Sequence, residues 1–490
     1  MAKQRKLFLY FKLILLIASI LHDVIKADEN YDFVVVGAGL SGLEAAKTLK
    51  ESGYSVVVLE AQDYIGGRTK TIQVGEIITD SGAMFLDGRS KLNPLVELAQ
   101  SMDVELKSET LFEGERVLYD NVTSSAFDSW DLEKLEISFI RQMRALKNSL
   151  HARNIMHPSL DHASDQFIKR NGLSGFDARV AEYIIRDRYC DTFYGGPSNL
   201  TSFDHFWSES SFFGENFFVK KGFNQLTEKL AENLDIRLST PVKGVSYSNS
   251  YGVRISTVDS GVFKARKAII TVPLGVLKSN GLTFDPPLPE EKQEAIDRLR
   301  MGSLEKVIAV FPKKIWGGDI LFLSEQNTQG YFPAIYDITD LTGKPSIIAW
   351  HGGYGSTINL QMTDEEIIES LQDQMSLALG QNVPRPTSFF VTRWQENQYI
   401  RGSYSYIPTG SNPEDMDLLK APVDNILYFA GEATNKHYYG TTHSAMISGA
   451  DAALELINAD SPRKSRTFET LFHRIQTWWI YESIQNALET

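Results

Sequence analysis

The chain has 490 residues, with 49 Lys plus Arg against 62 Asp plus Glu and a formal net charge of −13. Its apolar fraction of 42% and charged fraction of 23% exclude disordered, collagen-like and multi-span membrane classes. At about 150 residues per domain, the length predicts roughly two to four folded units. The negative balance argues against nucleic acid and is compatible with a cationic ligand, although solubility alone explains it equally well. The single cysteine, Cys190, excludes an intrachain disulfide and a cysteine-based metal site, and no metal is expected.

The N-terminal segment has the layout of a secretory signal peptide. Basic residues precede an apolar run from Leu7 to Leu21, and polar residues then lead to Ala27. The run is short for a membrane span, which needs about 20 apolar residues. A cleaved signal over 1–27 is therefore expected ahead of an uncleaved anchor, and the chain would be secreted. In a secretory lumen, Asn121 and Asn199 would be glycosylation acceptors.

A βαβ unit is predicted directly after this segment. Two apolar strands flank a helix, at residues 32–36, 43–52 and 55–59. Gly37, Gly39 and Gly42 lie at the turn between the first strand and the helix. The first glycine allows a tight turn, the second lets the backbone approach a pyrophosphate, and the third lets helix and strand pack closely. Glu60 follows the second strand and would accept hydrogen bonds from ribose hydroxyls, so the unit is predicted to bind a dinucleotide.

The rest of the chain alternates between two kinds of pattern. Residues 94–173 are helical and charged with few strand signals, whereas 217–290 and 426–457 return to mixed strand and helix patterns. The fold class is therefore predicted as α/β (α+β), with a second domain inserted into a Rossmann-like nucleotide domain. The predicted bounds are 31–90, 215–290 and 421–458 for the nucleotide domain, and 91–214 and 291–420 for the inserted domain.

The C-terminal tail, residues 459–490, departs from both patterns. Large apolar residues, among them Phe468, Ile475 and Trp479, fall at helical spacing. One interpretation is an amphipathic helix that contacts a membrane surface or a partner. Docking on the protein's own surface is favoured, because the polar face lacks a strong Lys/Arg excess in its second half.

Several segments beyond Glu60 resemble the flavin amine oxidase family. They are, in the family's order, Gly66-Gly67-Arg68, Thr271 to Leu277, Phe429 to Thr434 and Gly440 to Ala445. The resemblance covers about residues 31–457 and is nearest to the plant-type polyamine oxidases. It implies a two-domain flavoprotein, in which the Rossmann-like domain binds FAD and the inserted domain binds the substrate.

The resemblance also assigns residues to the cofactor. Gly67 and Arg68 would lie along the FAD, and Glu432 would hydrogen-bond its ribityl–pyrophosphate part. The backbone of Val242 would lie near the adenine, and Trp394 would lie against the flavin.

Residues of the reaction centre follow from the same resemblance. Lys306 matches the lysine that holds a water to the flavin N5. Asp87 and Asp191 stand where plant-type polyamine oxidases place the glutamates that line the polycation tunnel, although a small length difference lies beside Asp191. Tyr404 matches one member of the aromatic pair over the flavin, whereas Thr441 stands where the second tyrosine is expected.

Two departures distinguish the chain from other branches of the family, and a third sets it apart from the plant-type polyamine oxidases themselves. No cysteine lies in 402–405, where monoamine oxidases attach FAD, so non-covalent FAD is expected. Phe85 stands where L-amino-acid oxidases place an arginine, and an apolar ring cannot pair a carboxylate. Leu304 replaces another active-site tyrosine, which leaves the substrate open.

The resemblance therefore implies an FAD-dependent amine oxidase. It would oxidise a carbon–nitrogen bond of a polyamine with O2 and release an aldehyde, an amine and hydrogen peroxide. Its partners would be a small cationic amine and O2, without nucleic acid. The alternatives are oxidation of a different amine, or flavin binding with little turnover, which the residues Leu304 and Thr441 keep open.

Overall fold

A computed structural model describes residues 29–460, apart from 89–92, 109–115, 129–135, 137, 140, 144, 148–157, 206–211, 213, 280 and 324–329. The predicted signal peptide and residues 461–490 of the tail lie outside the described residues. Among the helices that the structure describes, none combines the length and the hydropathy needed to cross a membrane.

The described chain contains both strands and helices throughout its length. The strands are β1 (Glu29–Val36), β2 (Val56–Leu59), β3 (Thr71–Val74), β4 (Ile77–Asp80), β5 (Phe85–Leu86), β6 (Leu106–Ser108), β7 (Arg116–Asp120), β8 (Ser125–Asp128), β9 (Phe217–Val219), β10 (Asp235–Arg237), β11 (Val242–Ser248), β12 (Gly252–Thr257), β13 (Val262–Ile270), β14 (Thr283–Asp285), β15 (Arg300–Met301), β16 (Leu304–Val310), β17 (Asp319–Leu323), β18 (Ala334–Asp337), β19 (Ser346–Gly352), β20 (Ser388–Val391), β21 (Ser405–Tyr406) and β22 (Leu427–Phe429). The helices are α1 (Leu40–Glu51), α2 (Pro94–Ser101), α3 (Leu160–Asn171), α4 (Gly175–Glu182), a π-helix (Tyr183–Tyr194), α5 (Asn224–Ala231), α6 (Leu274–Lys278), α7 (Glu290–Arg298), α8 (Thr339–Thr342), α9 (Gly353–Asn359), α10 (Asp364–Leu379), α11 (Glu414–Lys420), a 3-10 turn (Glu432–Thr434) and α12 (Thr442–Asp460).

The first large sheet contains the predicted βαβ unit. Its strand order is β10-β2-β1-β13-β12-β11-β14, and β22 pairs with β13. β1 lies in parallel register between β2 and β13, and its apolar residues are buried as expected for a strand covered on both faces. Helix α1 begins at Leu40, three residues before the predicted start, because Gly39 already occupies the N-cap. α1 packs closely on α12, where a Cβ at Gly449 would lie 2.1 Å from the Ser41 carbonyl oxygen.

The second large sheet has the strand order β20-β16-β19-β18-β17-β7-β8. The hairpin β7–β8 corrects the prediction that residues 94–173 contain few strands. β7 runs parallel to β17, with Val117 opposite Ile320, so the hairpin extends the sheet that β16–β20 form. Thr123 stabilises the turn by donating its hydroxyl to the Asp120 carboxylate at 2.7 Å. Charged flanking residues obscured the short apolar alternation, which becomes a strand only because a distant strand pairs with it.

Three chain segments contact one another at the second large sheet. They are the residues after β4, the first residues of β16 and the loop after β20. Their meeting brings together side chains that are hundreds of positions apart, which places the site described next.

Candidate active site

The three glycines of the first turn lie in different surroundings. Gly37 has φ +109°, and a Cβ there would lie 2.6 Å from the Thr271 hydroxyl. A Cβ at Gly42 would lie 1.9 Å from the Gly37 carbonyl oxygen, which is a severe clash. A Cβ at Gly39 would meet nothing within 4 Å. The fold itself therefore requires glycine at 37 and 42, whereas no protein atom excludes a larger side chain at 39.

Glu60 closes the same turn from the end of β2. Its carboxylate accepts hydrogen bonds from the amides of Ala38 at 2.6 Å and Gln62 at 2.8 Å. Burial raises the pKa of Glu60, and the amide hydrogen bonds oppose that rise. The Thr240 amide donates to the Glu60 carbonyl at 2.7 Å, which brings Val242, the first residue of β11, to the same edge of the sheet.

The residues around Gly39 fit a dinucleotide. The N-terminus of α1 has no side-chain cap, so its amides and partial positive charge stay available to an anion. The Gly66 amide donates to the Ala38 carbonyl at 2.8 Å. A Cβ at Gly67, where φ is +58°, would lie 3.6 Å from the Gly39 Cα, so the second glycine segment lies beside the first.

Arg68 and Glu432 connect the two glycine segments to the end of the chain. Arg68 Nη1 donates to Glu432 Oε1 at 2.8 Å and to the Ser403 carbonyl at 2.9 Å. Glu432 Oε2 accepts from the Ser405 hydroxyl at 2.6 Å and from the Gly440 amide at 3.0 Å. Glu432 is 5% exposed and Arg68 24%, so Arg68 has the more accessible side chain of this buried pair.

Lys306 lies in the second large sheet, with its amine directed at the segment after β4. Lys306 Nζ donates to the Gly82 carbonyl, and the side chain is buried. Burial lowers the pKa of Lys306 to about 7, against a smaller opposing effect of the Asp80 carboxylate. Burial likewise raises the pKa of Asp80 to about 7, although Asp80 accepts hydrogen bonds from Thr71 and Phe223. A lysine that can lose its proton near neutral pH is suited to proton transfer and to holding a water.

Trp394 approaches the same segment from the loop after β20, and Tyr404 lies in the loop directly before β21. Trp394 Nε1 donates to the Ser81 carbonyl at 3.3 Å, and a Cβ at Gly82 would lie 3.4 Å from the indole ring. The Tyr404 hydroxyl donates to the Thr192 carbonyl at 3.2 Å. Burial raises the Tyr404 pKa, so the side chain stays a neutral phenol. Sequence reasoning missed Gly82, although a Cβ there would lie 1.8 Å from the Arg68 carbonyl oxygen.

Thr441 caps helix α12. Its hydroxyl donates to the Tyr438 carbonyl at 2.6 Å and accepts from the Ser444 amide at 3.2 Å. Both hydrogen bonds are local, so threonine has a structural reason to stand here. The predicted place of Thr441 at the flavin stays a prediction.

Asp87 lies beside a histidine that sequence reasoning missed. Asp87 Oδ2 is 3.2 Å from His443 Nδ1, and the two side chains are 37% and 1% exposed. The His443 ring packs edge-on against Phe212 at 4.8 Å and Tyr438 at 5.2 Å between ring centroids. His443 falls within the motif from Gly440 to Ala445, which was the available signal. The Asp191 side chain lies outside what the structure describes.

Comparison with known proteins assigns the class. The model of the family described as flavin containing amine oxidoreductase matches residues 40–457. The chain belongs to this family. Its cofactor is FAD, bound without a covalent link. The unobstructed Gly39 turn and the Arg68–Glu432 pair are residues that fit this cofactor.

The curated relatives include two kinds of enzyme. Polyamine oxidase 2 of Arabidopsis thaliana is 30% identical over 436 residues, which cover 86% of each chain. Lysine-specific histone demethylase 2 of Homo sapiens is 29% identical over 453 residues, which cover 87% of this chain and 53% of the demethylase. The chain therefore spans about half the length of such demethylases.

Solved structures show the same fold. Wild-type putrescine oxidase bound to putrescine superimposes with a TM-score of 0.73 at 21% identity, covering 88% of this chain and 99% of that chain. At this identity the likeness supports the two-domain FAD-binding architecture and says nothing about the substrate.

Proposed function

We propose that this FAD-dependent oxidoreductase oxidises a carbon–nitrogen bond of a polyamine of the spermine and spermidine class, with O2 as electron acceptor. The observation that carries the proposal is a cluster of aromatic rings with an acid two residues beyond it. The half-buried Phe85 ring packs 4.9 Å from Phe218 and 6.2 Å from Trp350, and Asp87 follows two residues later. The Phe85 ring suits an alkyl chain, and the partly exposed Asp87 carboxylate suits a distal ammonium.

The chemistry divides between the cofactor and the chain. The flavin, when bound, would take two electrons and a hydrogen from the carbon beside the amine nitrogen and pass the electrons to O2, and water would hydrolyse the resulting imine to the aldehyde and the amine. Trp394 and Tyr404 orient the alkyl amine, because the buried Trp394 ring and the half-buried Tyr404 ring restrict where a flexible chain can lie. Lys306 holds a water or a proton at its amine, since its buried side chain can exchange a proton near neutral pH.

Both kinds of relative support an alkyl amine as the substrate, but the substrates that their names imply differ in size. The polyamine oxidase matches this chain over 86% of both lengths, which favours a small polyamine. A methylated lysine side chain, the group that the demethylase name implies, is also an alkyl amine. The substrate test must therefore include both.

A peroxide assay on the purified yellow protein tests the proposal. Its panel comprises spermine, spermidine, acetylated polyamines, single amino acids and a dimethyl-lysine peptide. We expect peroxide with at least one polyamine and none with an amino acid. Peroxide with the peptide alone would contradict the polyamine assignment.

Asp87→Asn keeps the shape of the side chain and removes its charge. A partly exposed ammonium–carboxylate contact contributes about 0.5–1 kcal/mol, so the polyamine KM should rise by about two- to fivefold. kcat should change little, because a distal ammonium is held equally in the ground and transition states. The rise in KM should shrink at high salt. Unchanged KM would mean that the carboxylate serves His443 alone.

A further inference from the structure

Glu305 is a buried acid directly beside the predicted reaction centre. It precedes Lys306 in β16, and neighbouring residues of a strand direct their side chains to opposite faces of the sheet. Lys306 therefore faces Gly82, and Glu305 faces away from it. Glu305 is completely buried, at 0% exposure. A buried carboxylate needs hydrogen-bond donors, and those of Glu305 identify what it holds.

The donors to Glu305 come from the loop that follows β20. Glu305 Oε2 accepts the Thr392 hydroxyl at 2.6 Å, and Oε1 accepts the Gln395 amide at 3.0 Å. Gln395 directly follows Trp394 in this loop. One side chain thus fixes the backbone on which the Trp394 ring is mounted.

Thr392 transmits the same constraint to Lys306. A hydroxyl has one proton, and Thr392 gives it to Glu305, so its oxygen is left as an acceptor. That oxygen accepts the Lys306 amide at 2.7 Å, while the Thr392 amide donates to the Lys306 carbonyl at 2.9 Å. Both backbone polar groups of Lys306 are therefore held by Thr392.

The neighbouring ionisable groups His351 and Arg393 do not form an ion pair with the Glu305 carboxylate. His351 lies opposite Glu305 in the β16–β19 register, and burial lowers its pKa to about 3, so it is neutral. Arg393 acts on Glu305 through its charge, but its guanidinium is paired with Asp364 at 2.7 Å. The hydrogen bonds from Thr392 and the loop amide are thus the direct contacts of Glu305.

We propose that Glu305 is a positioning residue that fixes the Lys306 amine and the Trp394 ring relative to each other. One carboxylate holds the strand that bears the lysine and the loop that bears the indole, so their relative position is fixed by one group. The proposal concerns the flavin centre and does not depend on which amine is the substrate.

Glu305→Gln tests this arrangement with little change in shape. An amide has one oxygen and one NH2 group, so in either orientation the Thr392 hydroxyl or a loop amide loses its acceptor. Displacements of about 1 Å can cost on the order of a hundredfold in rate. We expect oxygen-dependent reoxidation of the photoreduced holoenzyme to slow by about tenfold or more, with an altered visible circular dichroism of the FAD. Reoxidation needs no amine, so the result is independent of the polyamine proposal.

Further variants keep the test decisive if Glu305→Gln folds poorly. Thr392→Val should slow reoxidation in the same way, and Thr392→Ser, which keeps the hydroxyl, should restore it. Asp120→Asn is the matched control, because Asp120 is 0% exposed, accepts a threonine hydroxyl at 2.7 Å and lies in β7 of the same sheet. It should lower the melting temperature and leave reoxidation unchanged. The proposal would be overturned if Glu305→Gln and Thr392→Val kept the reoxidation rate and dichroism of the wild type. It would also be overturned if Asp120→Asn slowed reoxidation equally.

Discussion

The glycine turn and the lysine centre are built in opposite ways. At the turn, the requirement for Gly42 comes from the nearby Gly37 carbonyl, although the distant Thr271 hydroxyl also restricts Gly37. At the lysine centre, Lys306 contacts Gly82 from 224 positions away, and Trp394 contacts Ser81 from 313 positions away. The first region depends on local sterics and the second on the packing of distant segments. Variants should therefore disturb the two regions differently.

The largest effect is expected at the glycine turn. Gly42→Ala places a Cβ 1.9 Å from backbone, so it should destabilise the apoprotein by about 3 kcal/mol or prevent folding. Gly39→Ala is the control, because its Cβ enters open space and the apoprotein should keep its stability. Gly39→Ala should instead weaken FAD binding. Chemical unfolding of the apoproteins and FAD fluorescence titration measure the two effects. Normal FAD affinity in Gly39→Ala would mean that the space is not used by the cofactor.

An intermediate effect is expected from Lys306→Met, which removes the charge and keeps a similar volume. Wild-type Lys306 is protonated below its pKa of about 7, and a buried cation favours negative charge that develops on oxygen. Flavin reoxidation should therefore slow as the pH rises through about 7, and Lys306→Met should be slow at every pH. Stopped-flow reoxidation from pH 6 to 9 provides the measurement. Equal rates and pH profiles in both proteins would make Lys306 a structural residue.

The same titration predicts the pH dependence of stability. The pKa of Lys306 falls from its ordinary value of 10.5 to about 7 in the folded chain, so between these values the unfolded chain binds more protons. Its contribution to the free energy of unfolding should rise with pH over that interval. Asp80, whose pKa is raised from 3.8 to about 7, should contribute a fall between those values. Lys306→Met should lose the alkaline rise, which urea unfolding at pH 7 and 10 can detect.

The smallest effect is expected at the helix cap. Thr441→Ala removes the acceptor for the Ser444 amide and should lower the free energy of unfolding by about 1 kcal/mol. Thr441→Ser should keep most of that stability, because it keeps the hydroxyl. The FAD absorption spectrum should be unchanged in both. A spectral shift without a loss of stability would instead favour the predicted place of Thr441 at the flavin.

The sequence predicted the first region well for a physical reason. Continuous apolar strands and spaced glycines are local patterns, so the βαβ unit followed from them, with the start of α1 misplaced by three residues. The β7–β8 hairpin was missed, because its strands acquire their partner only in the folded chain.

The second region depended on resemblance. Lys306, Trp394 and Glu432 were assigned by their motifs, since no local pattern brings Arg68 to Glu432 across 364 positions. Their supporting residues escaped notice. His443 lies within a family motif that assigned it no role, and Gly82 and Glu305 were likewise assigned none; each acquires its importance from a contact that only the fold creates.

Anaerobic mixing of the yellow holoenzyme with a polyamine tests the central claim most directly. The account predicts that spermine or spermidine bleaches the visible flavin absorption, that admission of O2 restores it with one peroxide per flavin, and that amino acids leave it unchanged. Flavin that dithionite reduces but no polyamine bleaches would contradict the account, and the chain would then be a flavin amine oxidoreductase for a different substrate.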